Sequence, residues 1–84
     1  MSIMLQLYSK ENCHLCDAAI EELERARQSY GIEYHVIDIN SKDCLMEKYG
    51  LMIPVVEYEG EIIQYGRIDS AILHKFLKSI NKVI

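Results

Sequence analysis

Residues 3–17, IMLQLYSKENCHLCD, join an apolar segment to a pair of cysteines and give the strongest indication of the fold. The segment from Ile3 to Tyr8 is almost continuously apolar, which is typical of a β-strand buried on both faces. Ser9 to Asn12 is a short polar connection, and beyond it apolar residues recur at helical spacing, at Ala19, Ile20, Leu23, Ala26 and Tyr30. The sequence therefore predicts a strand, a tight connection and a helix, with Cys13 at or just before the helix N-terminus.

The position of Cys13 favours a reactive thiolate. Unpaired backbone N–H groups and the helix dipole favour negative charge at a helix N-terminus, and the thiolate is the nucleophilic form of cysteine. Cys16 lies one helical turn further on the same side, within the Cα separation that a disulfide tolerates. Because a disulfide across so short a loop removes little entropy from the unfolded chain, the pair indicates reversible dithiol–disulfide chemistry rather than a structural crosslink.

Composition limits the classes of protein that this chain can represent. Its 84 residues predict one domain, residues 1–84, and half of them are hydrophobic, as in ordinary globular proteins. A net charge of −4 argues against a nucleic-acid partner. The longest apolar run is far shorter than a membrane span, and the N-terminus lacks the pattern of a signal peptide. We therefore expect a cytoplasmic monomer with neither a nucleic-acid nor a membrane partner.

Turn and cap residues divide the middle of the chain. Gly31 is suited to end the first helix in the left-handed conformation. Residues 32–39 then predict a second strand. A short second helix should follow, capped by Asn40 or Ser41 and ended by Tyr49-Gly50.

The last third of the sequence predicts a hairpin and a helix. Val55 to Tyr58 and Glu61 to Tyr65 are strand-like segments separated by Glu59-Gly60, a spacing that suits a tight hairpin. Asp69 should cap a final helix whose apolar stripe comprises Ile72, Leu73, Phe76, Leu77 and Ile80.

The predicted order is β-α-β-α-β-β-α, an α/β fold. The first two strands should be parallel, with a right-handed crossover between them, and the hairpin should add an antiparallel pair. Helices on both faces of a four-stranded mixed sheet would bury the apolar first strand at its centre.

Three motifs at the predicted element boundaries resemble those of glutaredoxin-like proteins of the thioredoxin-fold superfamily. They are Cys-His-Leu-Cys-Asp at Cys13 to Asp17, Tyr-Gly-Leu-x-Ile-Pro-Val at Tyr49 to Val55, and Gly-Arg-x-Asp at Gly66 to Asp69. The resemblance covers essentially the whole chain. It implies a thioredoxin-like fold of the glutaredoxin type, which lacks an extra N-terminal strand and helix.

The resemblance also implies roles for the residues of the second motif and the cysteines. Cys13 would be the attacking thiol and Cys16 the resolving thiol. Pro54 would be cis, with the backbone of Ile53 lying beside the sulfurs and pairing with a bound peptide or with glutathione.

Other positions correspond to glutathione-binding residues of glutaredoxins. Lys10 matches a lysine that helps to bind one glutathione carboxylate. The turn that includes Gly66, Arg67 and Asp69 matches the segment that holds the other carboxylate. The chain departs from the glutaredoxin pattern in having Tyr65-Gly66 where a Gly-Gly pair is usual, and His14-Leu15 where Pro-Tyr is usual.

Two residues of the first motif, His14 and Asp17, have two interpretations each. His14 either tunes the redox potential, since a cation beside the thiolate stabilises the reduced form, or is an exposed residue at the helix start. Asp17 either complements the helix dipole or shuttles protons. Cys44 is expected to be a small buried hydrophobe.

These features lead to the hypothesis of a thiol–disulfide oxidoreductase without a bound cofactor. Its substrate would be a disulfide-containing protein or a small thiol, and its electrons would come from glutathione, as a co-substrate, or from a flavin reductase. One alternative is a soft-metal or iron–sulfur protein that uses the same cysteines, although small copper metallochaperones have the different order β-α-β-β-α-β. Another is a non-catalytic binding module, in which both cysteines could be replaced without loss of function.

Overall fold

The computed structural model describes residues 3–81 and confirms the predicted fold class and element order. A 3₁₀ turn (Ile39–Ser41) follows the second strand. The strands are β1 (Met4–Ser9), β2 (Glu33–Asp38), β3 (Val55–Tyr58) and β4 (Glu61–Tyr65), and the helices are α1 (His14–Tyr30), α2 (Asp43–Tyr49) and α3 (Ser70–Asn81).

The four strands form one mixed sheet in the order β2-β1-β3-β4. β1 is parallel to β2 and antiparallel to β3, so the apolar first strand occupies an interior position, as predicted. Tyr8, near the end of β1, pairs with Val55 at the start of β3. This register places Pro54 and the cysteine motif at the same end of the sheet.

Helices cover both faces of the sheet. On one face, Leu5 and Leu7 of β1 pack with side chains of α1 and α3, including Leu23 and Leu77. On the other face lies a smaller cluster formed by Tyr8, Ile39, Tyr49 and Val55. The two-residue period of β1 explains this division, because successive side chains of a strand point to opposite faces.

Two predicted helix boundaries are confirmed. Gly31 has a φ of 69°, and its N–H donates to the Arg27 carbonyl at 2.9 Å. One carboxylate oxygen of Asp69 accepts from the backbone N–H groups of Ala71 and Ile72, which caps α3.

The predicted start of α2 is wrong. Asp38 accepts a hydrogen bond from the Asn40 N–H at 2.9 Å, so residues 39–41 close into the 3₁₀ turn instead of capping a helix. The helix begins later, after Lys42, which makes no side-chain cap. Gly50 does end α2, but with a right-handed φ of −53°. This position has no room for a side chain, because a β-carbon there would clash with the carbonyl of Met46.

Candidate redox site

Cys13 is the N-cap residue of α1. Its backbone is extended, with φ −118° and ψ 108°, and its Sγ accepts a hydrogen bond from the backbone N–H of Cys16 at 3.2 Å. The thiol thus occupies the place where a serine or aspartate side chain usually caps a helix. The side chain is half-buried, and its sulfur lies at the N-terminal end of α1, where the helix dipole is positive.

Cys16 lies in a different environment, although it is only three residues away. Its side chain is 1% exposed, and this burial is the main reason that the pKa of Cys16 is raised to about 11. The hydrogen bond with Cys13 and the negative charge of Asp17 raise the pKa further, while a hydrogen bond with the Lys10 backbone lowers it. The accessible thiol and the shielded, protonated thiol therefore have unequal reactivity.

The loop before β3 completes this end of the sheet. The Ile53–Pro54 peptide bond is cis, which confirms the prediction, and Pro54 is buried. The backbone N–H groups of Met52 and Ile53 donate to the Tyr49 carbonyl at 2.8 and 3.1 Å. Gly66 donates its N–H to the carbonyls of Met52 (2.9 Å) and Pro54 (2.8 Å). The loop is thus held from both sides, by α2 and by the end of β4.

A buried glutamine that the sequence analysis did not single out holds the turn before α3. The amide oxygen of Gln64 accepts from the Asp69 N–H at 2.8 Å, and its amide nitrogen donates to the Asp69 carbonyl at 3.2 Å. Gln64 is 9% exposed and pairs with Val56, so it lies on the α1 and α3 face of the sheet. The signal in the sequence that could have identified Gln64 was a polar residue at an inward-facing position of a predicted strand.

A second buried polar group lies on the opposite face. The Tyr49 hydroxyl donates a hydrogen bond to the carboxylate of Glu57, which is 5% exposed. The Tyr49 ring stacks on Tyr8 with a centroid distance of 4.2 Å. Burial, followed by the Glu57 charge, raises the pKa of Tyr8 to about 12. The signal in the sequence that could have indicated this buried polar contact was Glu57 itself, a carboxylate within the apolar segment of β3.

The charged residues assigned to the site are all on the surface. Lys10 follows β1, while His14 and Asp17 belong to the first turn of α1. Arg67 lies in the turn before α3. The register of the sheet brings these four to the same end as Cys13, and their roles in binding stay predictions.

The prediction for Cys44 is wrong, because the side chain is exposed. α2 has only seven residues and buries Tyr49, with Leu45 partly buried against the same cluster. Leu45 and Tyr49 are four residues apart and share one helix face. Cys44 lies outside that face and points to solvent.

Three exposed apolar side chains lie at the same end of the sheet as the cysteine motif. Leu15 is 49% exposed, Tyr65 is 60% exposed, and Leu51 extends fully into solvent. A cavity of about 440 Å³ lies elsewhere: Met4 and Glu33, the first residues of β1 and β2, line it at the opposite end of the sheet. Within residues 3–81, no cluster of three or more His, Cys, Asp or Glu side chains is arranged for metal binding. None of the helices in that range is long and apolar enough to cross a membrane.

The mixed sheet, the helices on its two faces, the cysteine pair at the start of α1 and the cis-proline before β3 define a thioredoxin-fold protein. Residues 4–78 match the family described as "Glutaredoxin-like domain (DUF836)", and the chain belongs to this family.

Solved structures agree with this assignment. The X-ray structure of the protein XcR50 from X. campestris is 33% identical, with 89% of this chain and 96% of that chain covered and a TM-score of 0.74. The solution structure of protein Ne2328 from Nitrosomonas europaea is 26% identical, with 90% and 92% covered and a TM-score of 0.79. A glutaredoxin (grx-1) from Archaeoglobus fulgidus, at 19% identity, 90% and 87% coverage and a TM-score of 0.66, shares the fold.

Proposed function

We propose that this protein is a thiol–disulfide oxidoreductase in which Cys13 attacks and Cys16 resolves. The observation that carries the proposal is the asymmetry of the two thiols. Cys13 is half-buried at a helix N-terminus and accepts a backbone hydrogen bond, whereas Cys16 is buried and has a raised pKa. A nucleophile that substrate can reach, followed by a second thiol shielded from solvent, suits a two-step exchange.

The first step forms a mixed disulfide. The Cys13 thiolate attacks one sulfur of a substrate disulfide, so that a bond forms between Cys13 and that sulfur while the substrate's S–S bond breaks. The second substrate sulfur leaves as a thiolate and takes up a proton from solvent.

The second step releases the reduced substrate. The Cys16 thiol loses its proton and attacks Cys13 Sγ, which breaks the mixed disulfide and frees the remaining substrate thiolate. The substrate has then gained two electrons, and the Cys13–Cys16 pair has lost them. A thiol or flavin-linked reductant must return two electrons before the next cycle.

The surroundings of Cys13 support a protein disulfide as substrate. Leu15, Leu51 and Tyr65 are exposed apolar side chains at this end of the sheet, and such a surface suits an apolar protein segment better than a small polar thiol. We further propose that the protein acts in the cytoplasm, where thiols are kept reduced. Glutathione and a flavin reductase are the candidate electron donors.

The proposal is tested with dithiothreitol-driven reduction of insulin disulfides. All variants carry Cys44→Ser, because Cys44 is exposed and would react with thiol reagents. Cys13→Ser should abolish the activity, and Cys16→Ser, mixed with insulin in the absence of dithiothreitol, should accumulate a mixed disulfide on Cys13 that intact mass spectrometry detects. Full activity of the Cys13→Ser variant would refute the mechanism.

A further inference from the structure

One hydrogen bond joins the two ends of the segment that contains Pro54. Tyr49 is the last residue of α2, Glu57 lies in β3, and the Tyr49 hydroxyl donates to the Glu57 carboxylate. Both side chains are buried. The bond therefore closes residues 49–57 into a single loop, and this loop carries the exposed side chain of Leu51.

The main chain of Tyr49 is fastened to the same loop. Its carbonyl accepts from the N–H groups of Met52 and Ile53 at 2.8 and 3.1 Å. A shift of Tyr49 would therefore disturb two hydrogen bonds just before Pro54. Gly66, at the end of β4, holds the loop from the other side through the carbonyls of Met52 and Pro54. Tyr49 is thus the residue through which α2 holds this loop.

Glu57 gives Tyr49 a fixed position relative to the sheet. The Tyr49 ring stacks on Tyr8, but stacked rings tolerate a range of offsets, whereas a hydrogen bond to a carboxylate is directional and strong. Glu57 belongs to β3, which pairs with β1, the strand that leads to Cys13. Two apolar side chains of the same shape would be about as stable as this buried polar pair, so stability alone does not account for it.

We infer that Tyr49 and Glu57 are positioning residues, which hold the loop of residues 50–54 at the cysteine end of the sheet so that a protein disulfide can dock there. The inference rests on the proposed function and names the residues that prepare its substrate surface, of which Leu51 is a member. Neither residue takes part in thiol exchange. Without their bond, the loop has to be ordered each time a substrate binds, and the free energy of that ordering is lost from binding.

Variants in the Cys44→Ser background, which serves as the parent, separate position from stability. Tyr49→Phe and Glu57→Leu each leave one buried polar group without its partner, so each should be less stable than the parent. The double variant Tyr49→Phe/Glu57→Leu leaves neither group unpaired and should recover most of that stability, although it still lacks the bond. Glu57→Gln keeps an acceptor oxygen for the Tyr49 hydroxyl and should retain the parent's loop and activity. Urea unfolding confirms that each variant is folded under the assay conditions.

Amide hydrogen exchange tests the position of the loop without any redox reaction. In the double variant, the amides of Met52 and Ile53 should exchange at least about tenfold faster than in the parent, because the loop opens locally. The amides of Leu5 and Leu7, in the interior strand β1, should keep the protection that they have in the parent. Equal protection of Met52 and Ile53 in the two proteins would overturn the inference and would leave the redox proposal untouched.

The rates with two disulfides test the consequence for the substrate. Insulin has to dock, whereas Ellman's reagent is small and needs only the Cys13 thiolate. Tyr49→Phe and the double variant should each reduce insulin about three- to tenfold more slowly than the parent, and should react with Ellman's reagent within about twofold of the parent rate. A double variant that regains the parent's insulin rate together with its stability would refute the inference. A parent that reacts with Ellman's reagent but leaves insulin intact would instead count against the proposed function, and hydrogen exchange would still decide the position of the loop.

Tyr34→Phe is the matched control. The Tyr34 hydroxyl also donates to a carboxylate, that of Glu24, at 2.9 Å. Tyr34 pairs with Leu5, however, and so lies toward the end of the sheet opposite Cys13. The ratio of its insulin rate to its Ellman rate should equal the parent's. An equal decrease of this ratio in Tyr34→Phe and Tyr49→Phe would mean that the effect does not depend on the loop, and would contradict the inference.

Discussion

Raising the pH should accelerate the step in which Cys16 resolves a mixed disulfide on Cys13. With a pKa of about 11 for Cys16, about one molecule in 10,000 carries the thiolate at pH 7, against about 3 in 100 for an ordinary cysteine. The thiolate fraction of Cys16 is therefore about 300-fold smaller. The greater nucleophilicity of a more basic thiolate compensates for about 10- to 20-fold of this loss. The hydrogen bond with Cys13 and the Cys13 charge, which contribute to this pKa, are absent once Cys13 is in the mixed disulfide. Resolution should therefore be at most about 15- to 30-fold slower at pH 7 than with an unperturbed thiol, and should rise about tenfold per pH unit between pH 7 and 9.

Stopped-flow mixing with Ellman's reagent separates the two steps. In the Cys44→Ser background, the first thionitrobenzoate is released when Cys13 attacks and the second when Cys16 resolves. The Cys16→Ser variant should release one equivalent only, which assigns the slow phase. A slow phase whose rate is independent of pH between 7 and 9 would refute the reasoning, because it would mean that Cys16 ionises without the penalty that burial imposes.

Asp17 supplies an internal check. Its negative charge contributes to the raised pKa of Cys16, so Asp17→Asn should speed the slow phase at neutral pH. The increase should be no more than about fivefold, because an exposed charge interaction is worth up to about 1 kcal/mol. Asp43→Asn, on α2, should have no effect.

The stability of the fold should decrease at high pH. Because the pKa of Cys16 is raised in the folded state, its protonated thiol favours folding below the unfolded pKa, and this contribution is lost as the pH rises toward 11.

The other predictions concern stability. Tyr49→Phe leaves the buried Glu57 carboxylate without the hydroxyl that hydrogen-bonds it, and should lower the free energy of unfolding by about 1–3 kcal/mol in urea; an unchanged midpoint would exclude that contribution. Leu7→Ala should cost about 2–5 kcal/mol, whereas Leu51→Ala, in solvent, should stay within about 0.5 kcal/mol; equal losses would contradict the position of the core. Gly31→Ala, at a φ of 69°, should cost about 1–2 kcal/mol, and a raised melting temperature would refute this.

Local sequence patterns were sufficient to predict most of the helix boundaries. The start of α1 at Cys13, the helix end at Gly31 and the cap at Asp69 depend on residues within one helical turn, so they could be predicted from the sequence. The start of α2 could not, because Asp38 competes for the Asn40 N–H and forms a 3₁₀ turn in place of the expected cap. The exposure of Cys44 cannot be predicted from the sequence, because a helix of seven residues buries one narrow face, and which face it buries depends on the sheet.

The sequence alone is sufficient to predict the order of the elements, the strand that leads into a helix beginning at Cys13, and the spacing that places Cys16 one helical turn after Cys13. The tertiary structure decided the properties of the site. Burial raises the pKa of Cys16, and Gln64 from β4 fixes the turn that Asp69 closes. Tyr49 from α2 provides the partner for Glu57. Periodicity depends on neighbours in the chain and is visible in the sequence, whereas desolvation and the partner of a buried polar group depend on which elements pack together.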